Sequence, residues 1–565
     1  MSETQSGDFR MTFVDGLKNR TLTSCSRWAS RRRVMKDIIT AESIPYNDKY
    51  HPWVRAMHDS WAGFNYAMKG AQLGVTEVAI NRALYIIDKM KRDVLYVLPT
   101  TTGATDFSKA RFGGALALSP YLQGLFTDTN AVGIKQAGAN TLYIRGSRGN
   151  DSLVSIPVSE LILDEVDRMD QAKIWLALER LSGQMTKHVW GISTPTIPGY
   201  GIDKLYQGST QEHFIFKCPR CSRRTELIWP DCVEIVGEHI ADPRIRESFL
   251  KCRECKGRIE HEEKPEFLAN AEWIKFDLNA DPDIRGFHIN QLYSFTVKPW
   301  ELVTGFFRGQ GDELAEKEFH NSKLGKPFIG AGAKVDDVML QRAVGSHRTD
   351  DPQARPSGNA NRSRIITMGI DQGKWNYAWI DEWFFDSWGR DLNASATCKT
   401  LFIHKFLDED FDRTVDELMR EWQVLGCVLD ADPATMEARR FARRFDGFVW
   451  LCRYRTVPTA KDMVIGDDDD GAPVVNVDRA NWLSASLGRF KANPSRIILP
   501  SDVPAEALIH MKNLTSTYVR DKKDNPQLDF VKTGPDHFAH ARTYSEIALP
   551  LCASRETNQD IKTFQ

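Results

Sequence analysis

The chain has 565 residues, 42% of them hydrophobic and 27% charged, with a formal net charge of −2. That length is too great for one core and points to roughly two to four domains, and the near-neutral balance confines any nucleic-acid surface to a local patch. No apolar run approaches the roughly 18 residues that cross a bilayer. Residues 1–7 lack a signal-peptide pattern, and ten cysteines in so long a chain suggest thiols or metal ligands instead of a disulfide scaffold. The expectation is an intracellular protein.

Residues 1–40 form a basic N-terminal arm carrying Arg10, Lys18, Arg20, Arg27, Arg31, Arg32, Arg33 and Lys36. It reads either as a solvated helix face or as a contact to DNA or a partner subunit. An α/β pattern begins near residue 41 and is expected to run to 344. A helical run or a short strand ending at Met68 feeds the stretch Lys69-Gly-Ala-Gln-Leu-Gly-Val-Thr76, and a long amphipathic segment, 78–91, leaves it.

This stretch reads as an unusual phosphate-binding loop. The common form is G-x-x-x-x-G-K-[ST], whose backbone amides cradle phosphates while the lysine adds charge and the hydroxyl reaches Mg²⁺. Here Gly74 and Thr76 hold their slots, Val75 stands where the lysine belongs, and Lys69 stands where the first glycine would be. The nucleotide-binding positions are therefore Lys69, Gly70, Gln72, Gly74, Val75 and Thr76, with the lysine entering from the front of the loop.

Residues 93–99 then read as a buried strand and 100–105 as a polar turn. About 90 residues beyond the loop, Leu161-Ile-Leu-Asp164-Glu165 is an apolar strand ending in two acids. This matches the second ATPase element, with Asp164 on Mg²⁺ and Glu165 beside the attacking water. A third strand, 188–192, runs into Ser193 and Thr194, hydroxyls placed to sense the γ-phosphate. Strands alternating with helices imply a parallel sheet with ligands at the strand carboxyl ends. Arg145 and Arg148 are the candidates for an arginine finger.

Two C-x₂-C pairs follow, Cys218 with Cys221 and Cys252 with Cys255, separated by 30 residues. Four such thiolates favour a closed tetrahedral Zn²⁺, a fold element without an open catalytic position. The zinc ribbon is expected over 214–262, with Cys232 and His261 spare. Residues 266–344 read as a return to the first domain, and 345–363, rich in Asp, Pro, Gly, Asn and Ser, as a linker.

From 364 to 565 the pattern changes. Three strands, a helix, a strand, a helix and a strand follow in the order of a ribonuclease H fold. The first strand ends at Asp371 and the fourth at Asp430, with Asp432 two residues on. The late helix opens after Asp536 and is expected to end at Pro550. Carboxylates so placed can hold two Mg²⁺ or Mn²⁺ ions for phosphodiester cleavage. Either Asp430 or Asp432 could serve; Asp430 follows the apolar run directly. The acidic tetrad 467–470 reads as a solvated loop tip.

Taken in order, these motifs resemble the large terminase subunit of tailed bacteriophages, of the lambda-like type. The displaced lysine of 69–76, Leu161 to Arg168, Ser193 to Thr196, the cysteine ribbon and Gly534-Pro-Asp536-His537 all fall in that family's order, and the likeness covers nearly the whole chain. It implies a P-loop ATPase with an inserted zinc ribbon and a C-terminal RNase H-like nuclease, driving viral double-stranded DNA into a procapsid and cutting concatemers. ATP, Mg²⁺ or Mn²⁺, and a structural Zn²⁺ would be bound. The implied partners are DNA, the portal protein, the small terminase subunit and further copies in a ring on the portal, in the host-cell cytoplasm. Two departures stand out. Residues 52–55 lack the glutamine with which the family reads adenine, and His540 replaces the second acid of the D-H-x-x-D-A pattern. The competing readings are a cellular helicase–nuclease of DNA repair, and a zinc-containing DNA-binding protein whose motifs have decayed, as Val75 would suggest.

Overall fold

The computed structural model describes residues 24–37, 40–127, 129–147, 156–330, 332–351, 365–384, 396–432, 435–455, 463–520 and 526–556. The chain divides into two compact units, Met1–Phe328 and Ile329–Gln565.

In the first unit a short helix, α1 (Cys25–Arg32), precedes strand β1 (Phe64–Lys69), and helix α2 (Val75–Tyr85) follows it. Strand β2 (Val94–Leu98), helix α3 (Thr101–Phe107), and strands β3 (Asn140–Gly146), β4 (Glu160–Asp164), β5 (His188–Ser193), β6 (Glu212–Lys217) and β7 (Ile284–Ile289) complete the frame. The seven strands lie side by side in the order β6-β7-β1-β5-β4-β2-β3, all parallel. Short antiparallel strands flank both edges. β2, β4 and β5 are buried at every residue, as a sheet covered on both faces requires. Strand order brings the carboxyl ends of β1, β5 and β4 together, so the loop after Lys69, the Ser193 hydroxyl and Asp164 share one edge.

Several expectations are corrected by packing. The segment entering the phosphate loop takes the second of its two expected forms, a strand. The segment leaving it is not amphipathic: α2 buries Val75 and every residue from Val78 to Tyr85. It buries them because α1 covers the face that would otherwise meet water, with Trp28 edge-on to Tyr85 at 5.9 Å. Thus residues 24–37 do not form a separate arm. Trp28 Nε1 donates to Asp88 (2.7 Å), Arg33 donates to Asn81 and Glu77, and the Arg32 guanidinium sits 4.0 Å over Tyr121. Arg32 and Arg33 are thus used internally, whereas Arg27, Arg31 and Lys36 are exposed as on a solvated face; Arg10, Lys18 and Arg20 lie outside the described residues. The polar stretch 100–105 is the start of α3, because the Thr100 side chain caps it by accepting from the Gly103 amide.

In the second unit, helix α4 (Asp337–Ala343) comes first, then strands β8 (Ile365–Asp371), β9 (Trp375–Phe384) and β10 (Thr397–Leu407). Helix α5 (Phe411–Glu421), strand β11 (Gly426–Asp430), helix α6 (Thr435–Arg444), strand β12 (Val449–Tyr454), helix α7 (Arg479–Lys491) and helix α8 (His537–Glu556) follow. The sheet order is β12-β11-β8-β9-β10, with β8, β9 and β10 antiparallel and β8, β11 and β12 parallel. This is the strand arrangement expected of a ribonuclease H-like domain. The domain boundary falls earlier than the linker expected at 345–363. Val335, Leu340 and Ala343 are buried in a cluster with Leu483, Leu487 and Leu499 of the second unit, and apolar burial assigns 329–344 to that unit. Residues 352–363 lie outside the described residues.

α8 runs to Glu556, through Pro550. It packs directly on β8: a Cβ at Gly369 would lie 1.9 Å from the Ala541 carbonyl. Beneath it lies a fully buried charge network. Arg542 pairs with Asp381 (3.3 Å) and Glu546 (2.8 Å), and all three are 0% exposed. Arg489 meets the other side of Glu546 at 2.5 Å, and Asp381 also accepts from Trp379, Thr400 and Ser545. The acidic tetrad is the tip of a hairpin, as expected, with Asp467, Asp469 and Asp470 exposed. Asp468 accepts from the Asp470 and Ala472 amides and from Arg439, closing the turn of a hairpin.

Removing one partner of a buried ion pair leaves the other unmatched in low dielectric, at a cost of about 3–5 kcal/mol. Asp381→Ala should destabilise the second unit by that amount in chemical denaturation. A loss below about 1 kcal/mol would show that the network is not what fastens α8 to the sheet.

Candidate ATPase, cysteine and nuclease sites

The loop after β1 is fixed from outside. Its carbonyls at Ala71 and Leu73 accept from Gln291 Nε2 and Trp53 Nε1, each at 2.8 Å. The amides of Gly70 and Ala71 donate to Ile289 and Ser322, so the front of the loop is tied to the rest of the unit. Gly70 is needed for close approach, since a Cβ there would sit 3.0 Å from the carbonyls of Ser322 and Lys323. Gly74, at φ 74°, makes the left-handed turn into α2 that a side chain would strain. Val75 is buried in the core, while Thr76 is half-buried at the first turn of the helix, where orphan amides and the helix dipole favour an anion.

Lys69, last residue of β1, lies in the field of Asp164 and Glu165. Burial pulls its ammonium pKa down, and the two acids offset this only in part. The displaced lysine is thus within electrostatic reach of the two acids that end β4. Asp164, 4% exposed, accepts a 2.6 Å hydrogen bond from the Tyr96 hydroxyl. Burial pushes its carboxyl up, against the opposing pull of Tyr96 and Lys69. Glu165 stands in the left-handed region at φ 66°, a conformation an L-residue keeps only when its surroundings fix it. Its amide donates to Ile192 at 2.8 Å, and its half-exposed carboxylate meets Arg168 at 3.2 Å.

Asp167 supplies the fixing, and the sequence reading gave it no role. One carboxylate oxygen accepts from the Thr196 amide (2.7 Å) and hydroxyl (2.8 Å), the other from the Ile202 amide (2.8 Å). Burial still raises it to about 6. The Asp167 amide in turn donates to Ser193 Oγ, which donates to the Thr194 carbonyl. Ser193 and Thr194 therefore join the Asp164–Asp167 turn through Asp167. A third acid in the run was the available signal; Tyr96 left none. Arg145 folds back on its own hairpin, donating to the Gly133 and Ile144 carbonyls, and Arg148 lies outside the described residues.

Among the described residues, the sulfurs of Cys218, Cys221, Cys252 and Cys255 all lie within 4.8 Å of one another. The two pairs fold as copies of one knuckle. Ser222 and Lys256, each four residues past the first cysteine of its pair, both adopt φ 59° and donate to the Cys218 and Cys252 carbonyls. The Arg220 and Glu254 amides point at the Cys218 and Cys252 sulfurs, at 3.3 and 3.4 Å. Amides aimed at sulfur stabilise thiolates, and four soft donors so close together suit Zn²⁺. Cys232 and His261 have partners elsewhere, the Glu226 and Phe295 carbonyls.

In the second unit Asp371 and Asp430 end the neighbouring strands β8 and β11. Asp371 accepts from His537 Nδ1 at 2.8 Å, which raises the His537 pKa. Asp430 is pushed up to about 6, first by burial and then by the charges of Asp371 and Asp432, against the pull of the Asp432 amide and His540. Asp432 is exposed, and its amide donates to Asp430 because the strand has already ended. Asp536 lies just before α8, its carboxylate 3.3 Å from His540 Nε2 and 3.8 Å from Lys532. Burial opposes its charge, yet His540, Lys532 and His537 together hold its pKa low. With Nε2 donating to Asp536, His540 Nδ1 accepts from the Tyr454 hydroxyl at 3.0 Å. The three carboxylates share this end of the sheet without coming as close as the cysteine sulfurs. His537, adjacent to Asp536 in the sequence, was not among the expected site residues.

Residues 43–273 match the family model described as phage terminase large subunit gpA, ATPase domain, and residues 284–541 match terminase large subunit gpA, endonuclease domain. No curated protein sequence matches the chain. Among solved structures, the large terminase of bacteriophage HK97 is 12% identical, covering 93% of this chain and 98% of that one at a TM-score of 0.45. The large terminase of a thermophilic bacteriophage, in complex with ADP, is 11% identical (88% and 96% covered, TM-score 0.30). The ATPase domain of the large terminase of Thermus phage P74-26 is 17% identical (50% and 94% covered, TM-score 0.28). The readings as a repair helicase–nuclease or a decayed scaffold are not favoured by the two family matches. With both domains matched in order along most of its length, the chain belongs to the gpA-type large terminase subunits of bacteriophages and carries their ATPase and endonuclease domains.

Proposed function

We propose that the first unit hydrolyses ATP to move viral double-stranded DNA into a procapsid, and that the second cuts concatemeric DNA around each packaging round. The observation that carries the ATPase part is the convergence of Lys69, Asp164, Glu165 and the Asp167–Ser193 linkage at one sheet edge. Amides from Gln72 to Thr76 cradle the phosphates, and Lys69 neutralises them from the front of the loop, where Val75 cannot reach. Thr76 and Asp164 would hold Mg²⁺, which would supply positive charge to the phosphates. Glu165 takes the proton of the attacking water. Loss of the γ-phosphate is felt at Ser193 and Thr194 and passed through Asp167 to the Asp164 turn.

Asp371, Asp430 and Asp536 are hard oxygen donors suited to Mg²⁺ or Mn²⁺, ions that would generate hydroxide and steady the leaving oxygen. Asp430 is the second ligand in preference to Asp432, because only Asp430 lies on the strand beside Asp371. The four cysteines hold a structural Zn²⁺. The portal protein, the small terminase subunit and a ring of further copies are the partners, and the host-cell cytoplasm is the place of action. No helix of the described residues is long and apolar enough to cross a membrane.

Glu165→Ala should lower ATP turnover by at least about 100-fold and leave Mn²⁺-dependent plasmid cutting in place. Asp371→Asn should do the reverse. Retained ATP turnover in the first variant, or retained cutting in the second, would overturn the corresponding assignment. Elemental analysis should find one zinc per chain, lost in Cys252→Ser; unchanged zinc in that variant would place the metal elsewhere.

Asp430 also has a pH signature. Its folded pKa of about 6 exceeds the ordinary value of about 4. Between these values the folded chain binds more protons than the unfolded one. Stability of the metal-free protein therefore falls as pH rises from about 4 to 6 and stays lower above. Asp430→Asn cannot ionise, so it should stabilise the metal-free second unit by up to about 2 kcal/mol at pH 8 and by little at pH 4, while abolishing cutting. Equal melting shifts at both pH values would contradict this.

A further inference from the structure

β9 is buried at every residue except its two ends, and at the end nearest Asp371 it exposes Trp375, which is 42% accessible. Asp371 pairs with Tyr377 across the β8–β9 hairpin, so period-two alternation puts Trp375 and Tyr377 on the Asp371 face of the sheet. The Tyr377 ring lies parallel to the His537 imidazole, at 4.7 Å and 9°, and His537 holds Asp371. The Lys405 ammonium stands 5.2 Å from the centroids of both Tyr377 and Trp375. A continuous row therefore leads from the buried carboxylate to solvent: Asp371, His537, Tyr377, Lys405, Trp375.

Two features point to a strand of DNA as the occupant. Lys405 is countered by Glu506 at 2.7 Å, so its charge serves to hold the two rings in place by cation–π attraction. The indole is thus held in place while part of the residue stays in water. Trp375 also lies two residues beyond the Asp371 register, about 7 Å along the strand or roughly two base steps of a DNA strand, and the exposed Lys374 is its neighbour. A planar exposed ring beside a cation, one short step from the cutting carboxylates, matches the way proteins grip a nucleic-acid strand by stacking.

We propose that Trp375 stacks on a nucleotide of the strand being cut and so positions its backbone at Asp371, Asp430 and Asp536. This rests on the nuclease reading of Asp371 given above. The test is steady-state cutting of linear duplex DNA by the full chain in Mn²⁺. Trp375→Ala should raise KM for DNA about tenfold and lower kcat by less than about threefold, with the melting temperature kept. Trp375→Phe should recover most of the loss, whereas Trp375→Leu, which keeps apolar bulk without an aromatic face, should resemble the alanine variant. DNA affinity, measured by anisotropy in an Asp371→Asn background, should fall in the same order. An unchanged KM in Trp375→Ala, or leucine as effective as phenylalanine, would overturn the proposal. Cutting retained in Asp371→Asn alone would instead overturn the nuclease reading itself. If Trp375→Ala melts early, the phenylalanine and leucine variants decide.

Discussion

A charge withdrawn from water must find its partner inside the protein, and both units are organised around places where this is met. In the first, the Asp167 carboxylate is saturated by the Thr196 amide and hydroxyl and by the Ile202 amide. In the second, Arg542 is enclosed by Asp381 and Glu546, with Arg489 behind. Neither cluster touches the chemistry, yet each sets its geometry. Asp167 holds the turn that keeps Glu165 left-handed beside Lys69. The Arg542 network holds α8, and with it Asp536, His537 and His540, against β8 and β9. Buried ionic clusters add little net stability compared with apolar packing, but they tolerate few alternative arrangements. That intolerance is what a site needs when its working groups sit at strand and helix ends.

The two sites use the same economy of position. Parallel strands deliver acids at their carboxyl ends, and neighbours on adjacent elements adjust them. Tyr96 and Lys69 act on Asp164, His537 donates to Asp371, and His540 with Lys532 steadies Asp536. The histidines and Lys532 partly counter the charge of Asp371 and Asp536. The knuckles between β6 and β7 follow a different logic, in which two left-handed residues and paired amide–sulfur contacts fix four thiols by backbone geometry alone.

Much of this was legible in the sequence because the signals were local. Apolar runs ending in Asp-Glu, Asp371 and Asp430 placed the acids at strand ends, and C-x₂-C spacing foretold two knuckles. What failed was also local in cause. The 100–105 stretch looked like a turn because its Thr100 cap resembles one, and 78–91 looked amphipathic because nothing in it reveals that α1 covers its polar side. Residues 335–343 read as part of the first domain, since the partners that bury them, Leu483 to Leu499, lie about 150 residues away.

The sequence by itself determined the family and the order of its ATPase and endonuclease domains, because those depend on residue type and short spacing. Only the tertiary structure decided which groups act on one another. It put Asp430 on the strand beside Asp371 and left Asp432 beyond the strand's end. It raised Asp167 from a bystander to the link between two motifs, and it joined Asp371 to Trp375 through His537, Tyr377 and Lys405. Those relations come from strand register and from helices laid across a sheet, where residues tens to hundreds of positions apart become neighbours, and no short window of sequence contains them.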